Sequence, residues 1–400
     1  MTTSRIFVDR LLTTPPRATD VGAIERAFVD LDGERIERVG EEANAPPFDG
    51  PTTRARLVTV GLVDAHTHAP WAGSRHAEYA LKMAGADYET IAKSGGGIVS
   101  TMRAVREQSH DDLTRELVDR VRRMTALGVT TVEAKSGYGL DLAGEEKQLR
   151  AIRAASRLVE ATLVPTFLGL HALPPEAAGD RDGYAARVLR DTYPTLAADG
   201  LFRFVDAYVD RAAFSVEHAR PLCERARADG FGVRLHVGQF ADVGGAALAA
   251  DIGASSIDHA EHVADSALEA LAAAETRVVL LPVASLTLRG PAPDVAAMRR
   301  AGLRLVVASD ANPGTAPTES LPLALALAVR LYGLTVDEAL RGATVEAAAS
   351  LGLFDRGHVS VGARADLVLW DLPHEAALVQ PWGTSRASRV VIGGRVVQPG

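Results

Sequence analysis

The side chains best equipped for chemistry in this sequence are its histidines. His66 and His68 stand two apart in Asp64-Ala-His-Thr-His, at the end of an apolar run. In extended backbone, residues at this spacing project to the same side, so both imidazoles can reach one metal ion. A lone His-x-His recurs by chance, and its surroundings carry the weight: His236, His259 and Asp310 each close a separate apolar run further along. A capping or core-satisfied polar residue would explain one such position, but not all of them. Three neutral imidazoles and a carboxylate suit Zn or Fe, whereas Mg and Ca take all-oxygen shells. Such an ion brings the pKa of bound water toward about 7 and polarises a carbonyl, so hydrolysis is the expected chemistry.

These side chains need elements that bring distant segments together. Apolar runs begin at Leu57, Val129, Ala161, Phe204, Val233, Ser256, Val278 and Leu303, and the segments between them have helical spacing, as at 112–127, 145–159 and 216–229. Eight strands alternating with helices predict an α/β fold of the (β/α)8 barrel type, whose active sites lie where strands end. An open doubly wound sheet is the alternative, but Gly95-Gly-Gly follows no strand and is not G-x-G-x-x-G. The ends of the chain read differently. Short alternating runs at Arg5, Arg26 and Arg35, with Asp32-Gly33 as a hairpin signal, resemble those at Asp366, Ser388 and Arg395 with Gly393-Gly394. Short strands need partners, so both ends are expected to build one discontinuous β-sandwich module. The expected division is 1–56 and 356–400 for that module and 57–355 for the barrel.

Composition narrows the function further. The 400 residues carry 43 Lys+Arg against 51 Asp+Glu, a formal charge of −8, with no basic block, which argues against nucleic acid or an anionic membrane as partner. Cys223 is the single cysteine, so an intrachain disulfide and a thiolate-rich zinc site are excluded. No run of about 18 apolar residues spans a membrane. The first residues lack the apolar core of a signal peptide, which makes the cytoplasm the expected compartment.

Longer motifs sharpen this picture. Gly61-Leu-Val-Asp-Ala-His-Thr-His followed by Ala72-Gly-Ser-Arg resembles the opening signature of the amidohydrolase superfamily. Gly95-Gly-Gly-Ile, Glu133-Ala-Lys-Ser-Gly-Tyr-Gly-Leu, Thr166-Phe-Leu-Gly-Leu-His-Ala-Leu-Pro-Pro, Phe214-Ser-Val-Glu and Ser309-Asp-Ala-Asn-Pro-Gly are similar to blocks of one family within it, the imidazolonepropionases, in that family's order. The resemblance runs from about Ile36 to Val397. It implies hydrolysis of 4-imidazolone-5-propanoate to N-formimidoyl-L-glutamate.

By the same resemblance, His66, His68, His236 and Asp310 are the metal ligands of one Zn or Fe ion. Arg75 then pairs with the substrate's carboxylate, for which a guanidinium offers two parallel donors. Tyr138, His171, Asn312, Gly314 and Thr315 are implied to contact substrate or product, although Asn-Pro-Gly is also a strong turn signal. His259 and Asp310 are the catalytic residues expected to move protons. The sequence departs from many relatives in reading His236-Val-Gly-Gln239 where they carry His-x-x-Glu. Gln239 can hold a ring but cannot shuttle a proton, which disfavours a deaminase. A two-metal cyclic-amide hydrolase is the other enzyme reading, with Lys135 carbamylated and His171 and His259 completing a second site. A barrel that has lost catalysis fits poorly, because every ligand is present. His262 is left open. His76, His110, His218, His358 and His374 read as surface residues, and the helix-covered barrel could form a homodimer.

Overall fold

The computed structural model describes residues 3–85, 96–211, 213–382 and 387–397. Gly95 of the Gly95-Gly-Gly-Ile block lies outside the described residues. Four strands open the chain: β1 (Thr3–Leu12), β2 (Ala23–Asp32), β3 (Arg35–Glu41) and β4 (Thr52–Val60). Eight more follow, alternating with helices: β5 (Leu62–Asp64), β6 (Val129–Lys135), β7 (Thr162–Leu170), β8 (Phe204–Val209), β9 (Gly232–Val237), β10 (Ser256–His259), β11 (Arg277–Leu280) and β12 (Leu305–Val307). The last three are β13 (Leu367–Trp370), β14 (Ala387–Ile392) and β15 (Arg395–Val397).

β5 to β12 pair in chain order as one eight-stranded parallel sheet. The seam between its first and last strands closes just beyond their ends, where Asp310 N–H donates to the His66 carbonyl at 3.1 Å and His68 N–H to that of Ala311 at 3.0 Å. The barrel is therefore joined through the residues expected to hold the ion. Its helices bury one stripe each against the strands. Helix His110–Ala126, capped by Ser109, buries Leu113, Leu117, Val121 and Met124 at the spacing of one face.

Strand pleating decides what fills the barrel. Val132, Ala134, Leu235, Val237 and Ile257 belong to the apolar cluster that includes the helices. Their neighbours Glu133, Lys135, Arg234, His236 and Asp258 are buried and pair with charged groups of neighbouring positions and strands, so period-two alternation turns charged groups toward the lumen. Val164, Phe204, Val279 and Val306 form a separate apolar cluster.

The terminal segments build one seven-stranded sheet in the order β15-β14-β13-β4-β1-β2-β3, with its own core of Val8, Leu11, Val29, Val58 and Leu367 among others. The apolar run from Leu57 to Asp64, one strand in the sequence reading, is divided: β4 joins the terminal sheet and β5 the barrel. Gly61 is the point of division. A Cβ there would lie 2.2 to 2.8 Å from side-chain atoms of Thr130, so the two sheets meet at a contact with no room for a side chain. Gly61→Ala should lower stability by roughly 1–3 kcal/mol, as overpacking does, read as a fall in melting temperature. Thr130→Ala in the same chain should return part of the loss.

Candidate active site

The pleat and the seam place five predicted residues together. His66, His68, His236, His259 and Asp310 are all buried. Asp310 Oδ1 lies 3.5 Å from His66 Nε2 and 3.4 Å from His68 Nε2, and His68 Nε2 lies 3.4 Å from His236 Nε2. These three separations are close to the ~3.4 Å between tetrahedral ligands that stand about 2.1 Å from an ion, and the groups compact enough to share one are His66, His68 and Asp310, and His66, His236 and His259. His66 Nε2 and Asp310 Oδ1 have no hydrogen-bond partner although both are buried, as expected of atoms whose lone pairs belong to a cation. A ring nitrogen of His259 groups within 4.8 Å of nitrogens of His66 and His236. His259 and Asp310 both adopt left-handed backbone, at φ 84° and 55°, a strained geometry for side chains other than glycine.

The opposite edges of the imidazoles are held by carboxylates. His66 Nδ1 lies 2.6 Å from Asp258, and His236 Nδ1 lies 3.1 Å from Asp206. A carboxylate at Nδ1 keeps the proton there and leaves Nε2 free to bind. Behind these contacts Lys135 Nζ is 2.9 Å from both Glu133 and Asp206 and 3.6 Å from Asp258, and Arg234 is 3.5 Å from Asp258. Every one of these groups is fully buried. Lys135 and Arg234 thus face the carboxylates of Glu133, Asp206 and Asp258, while Asp310 lies against His66 and His68. With neutral imidazoles the buried carboxylates outnumber these two cations, an excess of negative charge that a bound cation would offset.

Protonation follows the same partners. Burial and Lys135 act to lower the His66 pKa, but Asp258 and Asp310 outweigh them and hold it up at about 8. His68 and His236 are pushed down, chiefly by burial, and stay neutral. Burial opposes ionisation of Asp310, yet its contacts with His66 and His68 keep it well below the usual carboxylate range. Burial likewise opposes the charge on Lys135, and the carboxylates of Asp206 and Glu133 more than restore it.

The remaining predicted residues surround this cluster at different depths. His171 stacks on His68 with ring centroids 5.1 Å apart, and its Nδ1 is 2.8 Å from the Gly137 carbonyl. Burial and the neighbouring His68 hold His171 neutral, at about 3. The buried Tyr138 ring lies 5.8 Å from His68 and 5.3 Å from His171. Its loop is fixed from the following helix: Glu145 accepts the N–H groups of Gly137 and Leu140, and Gln148 those of Tyr138 and Gly139. Gln239 is joined to the cluster through Tyr208, whose hydroxyl donates to Gln239 Oε1 at 2.6 Å and whose ring is 5.7 Å from His236. Asn312 spends its side chain within its own loop, donating to the Asp310 carbonyl and accepting from the N–H groups of Gly314 and Thr315. The turn reading thus describes its present contacts.

Arg75 lies on the wall of a cavity of about 580 Å³ that Gly314 and Thr315 also line. Its Nε donates to Glu78 at 2.9 Å and its Nη2 to the other Glu78 oxygen, while Glu78 also accepts from the Gly97 N–H. A Cβ on Gly314 would lie 2.1 Å from Arg75 Nη1, so only glycine lets the guanidinium pack there. His262 is exposed, and its backbone N–H bonds to the Gly238 carbonyl. The sequence reading missed Asp206, Asp258, Arg234, Tyr208, Glu78, Glu145 and Gln148. For the first three the available signal was a charged residue at an inward position of an otherwise apolar strand.

Comparison with known proteins agrees with this arrangement. The Amidohydrolase family model matches residues 57–397. Imidazolonepropionase from Polaromonas sp. is 44% identical over 405 residues, covering 99% of this chain and 94% of that protein. Imidazolonepropionase from Caulobacter vibrioides is 43% identical over 96% of this chain and 97% of its own. The chain belongs to the imidazolonepropionase family. Among solved structures, an adenosine deaminase from Xanthomonas campestris with bound zinc superposes with a TM-score of 0.73 at 18% identity, covering 99% of this chain and 92% of that one, a likeness of fold. Within the imidazolonepropionase family and its amidohydrolase parent, the His and Asp cluster at the barrel mouth is the metal-capable site. No helix among the described residues is long and apolar enough to cross a membrane.

Two measurements follow from the carboxylate supports. Asp258→Asn should weaken metal binding by roughly 10- to 100-fold in a chelator competition, as losses behind metal ligands do. Chelator-stripped protein must release the His66 proton to bind an ion. Its apparent metal affinity should therefore fall as pH drops below about 8, by about tenfold per pH unit from this group.

Proposed function

We propose that this protein hydrolyses the cyclic amide of 4-imidazolone-5-propanoate to N-formimidoyl-L-glutamate in histidine degradation, with one Zn or Fe ion per chain. The observation that carries the reading is the convergence of His66 Nε2, His68 Nε2, His236 Nε2 and Asp310 Oδ1 in a chain similar over nearly its whole length to imidazolonepropionases. A bound ion supplies a Lewis acid for the ring carbonyl and acidifies water.

The protein's own groups do the rest. Asp310 and His259 take the proton of the attacking water as its oxygen bonds to the ring carbonyl carbon. The carbon–nitrogen bond then breaks, the leaving ring nitrogen receives a proton, and the carbonyl carbon becomes a carboxylate. His171, with Nδ1 committed to the Gly137 carbonyl, is left to offer Nε2 to the ring. Gln239 has its Oε1 occupied by Tyr208, so its amide N–H groups are the ones available to a ring acceptor. A glutamine in this place holds a substrate without carrying protons, which suits ring opening better than deamination. Arg75, fixed by Glu78, binds the propionate, and Tyr138, Gly314 and Thr315 shape the space between. The substrate is thus a small molecule with a carboxylate, and the compartment the cytoplasm.

The two-metal alternative needs an uncharged lysine to form a carbamate. Lys135 instead contacts three buried carboxylates that favour its ammonium, so this reading is set aside. The deciding experiment supplies freshly generated imidazolone propionate to metal-reconstituted protein and follows formimidoylglutamate, with hydantoin and dihydroorotate as controls. Turnover of the first alone is expected; turnover only of the controls would overturn the assignment. Arg75→Ala should raise KM by about tenfold or more with kcat nearly kept, because a charge-assisted pair contributes about 1.5–3 kcal/mol. An unchanged KM would remove Arg75 from the propionate subsite.

A further inference from the structure

His259 has a second side that the reading above leaves unexplained. β10 ends at this residue, and His259 and Ala260 take successive left-handed conformations, at φ 84° and 69°. The chain reverses there, and the carboxylate two residues on folds back behind the imidazole. Glu261 Oε2 lies 3.8 Å from His259 Nδ1. Both atoms are buried and neither has a hydrogen-bond partner. The Glu261 side chain is 3% exposed, and among the described residues no lysine or arginine pairs with it. Its other oxygen accepts from Ser285 Oγ at 2.5 Å, and that hydroxyl lies 2.5 Å from the Tyr332 hydroxyl.

A buried carboxylate served only by a hydroxyl is costly unless a cation or a strong donor faces it. Among the described residues, the group that faces its second oxygen is the His259 ring. We propose that Glu261 is a positioning residue for the reaction. It fixes the Nδ1–H tautomer of His259, leaves Nε2 to accept the water proton, and stabilises the imidazolium that results. Ser285 and Tyr332 anchor the carboxylate from behind. The 3.8 Å separation is long for a hydrogen bond, as such contacts often are before substrate closes the site. Each step balances within the proposed chemistry: His259 gains one proton from water and returns it to the leaving nitrogen, and Glu261 takes no part in the transfer. This inference rests on His259 being the proton carrier in the proposed hydrolysis.

The test is Glu261→Gln, which keeps size and an acceptor for Ser285 but removes the charge, measured with His259→Ala and the double variant. Glu261→Gln should lower kcat by roughly 10- to 100-fold with KM and melting temperature little changed, and should cost almost nothing further in the His259→Ala background. Wild-type kcat in Glu261→Gln, or a loss that adds fully to that of His259→Ala, would overturn the proposal. A substrate-free readout separates this from failure of the functional reading. The ¹⁵N signals of His259, identified by their loss in His259→Asn, should show Nδ1 protonated in the wild type and mixed tautomers in Glu261→Ala. Unchanged tautomers in Glu261→Ala would contradict the role of Glu261 whatever the substrate proves to be, whereas wild-type inactivity on imidazolone propionate with this tautomer shift would strike the substrate alone.

Discussion

The buried ion pairing of Lys135 with Glu133, Asp206 and Asp258 is the constraint on which this molecule's chemistry depends. Placing an ammonium and several carboxylates inside a barrel is costly in desolvation, and the mutual pairing offsets that cost only if positions are held closely. Here the alternation of β6, β8, β9 and β10 turns those side chains toward one another. The same carboxylates then have a second edge to offer. Asp258 reaches His66 and Asp206 reaches His236, so the charge network sets the orientation of two imidazoles. The candidate metal site is the upper surface of a charged core.

The seam adds a second constraint. His66 and His68 follow β5 while Asp310 follows β12, and the backbone bonds that close the barrel run between these segments. Candidate ligand atoms from opposite ends of the barrel sequence are therefore placed by the closure itself. The groups proposed to face substrate are arranged differently. Tyr138 is held by Glu145 and Gln148, Arg75 by Glu78, and Gln239 by Tyr208, so each depends on one partner outside the ion network. On the proposed reading, substrate binding and metal retention rest on separate sets of contacts.

The histidines of the candidate site stand out in the sequence because they sit at the ends of apolar runs, and eight such runs are hard to mistake. Their supports were harder to see. Asp206 and Asp258 each interrupt a short apolar strand by one residue, and a period-two pattern does not say whether a lone carboxylate faces a lysine, a metal or a helix. Lys135 could be read as salt-bridged, but two of its three partners, Asp206 and Asp258, lie 71 and 123 positions away, a distance only the barrel closes. The division at Gly61 escaped because β4 and β5 are separated by a single residue, and nothing local distinguishes a strand that continues from one that changes sheets. The Glu78 clasp on Arg75 and the Glu261 contact with His259 depend on chain reversals that composition does not announce.

The central claim is that four atoms, backed by buried carboxylates, hold a single ion while Lys135 remains an ammonium. Anomalous diffraction at the zinc and iron edges from crystals of the purified protein tests it most directly. One peak per chain is predicted, bounded by His66, His68, His236 and Asp310, with Asp258 and Asp206 still on the far edges of their imidazoles and unmodified density at Lys135. Two peaks per chain, or a carbamylated Lys135 between them, would contradict it.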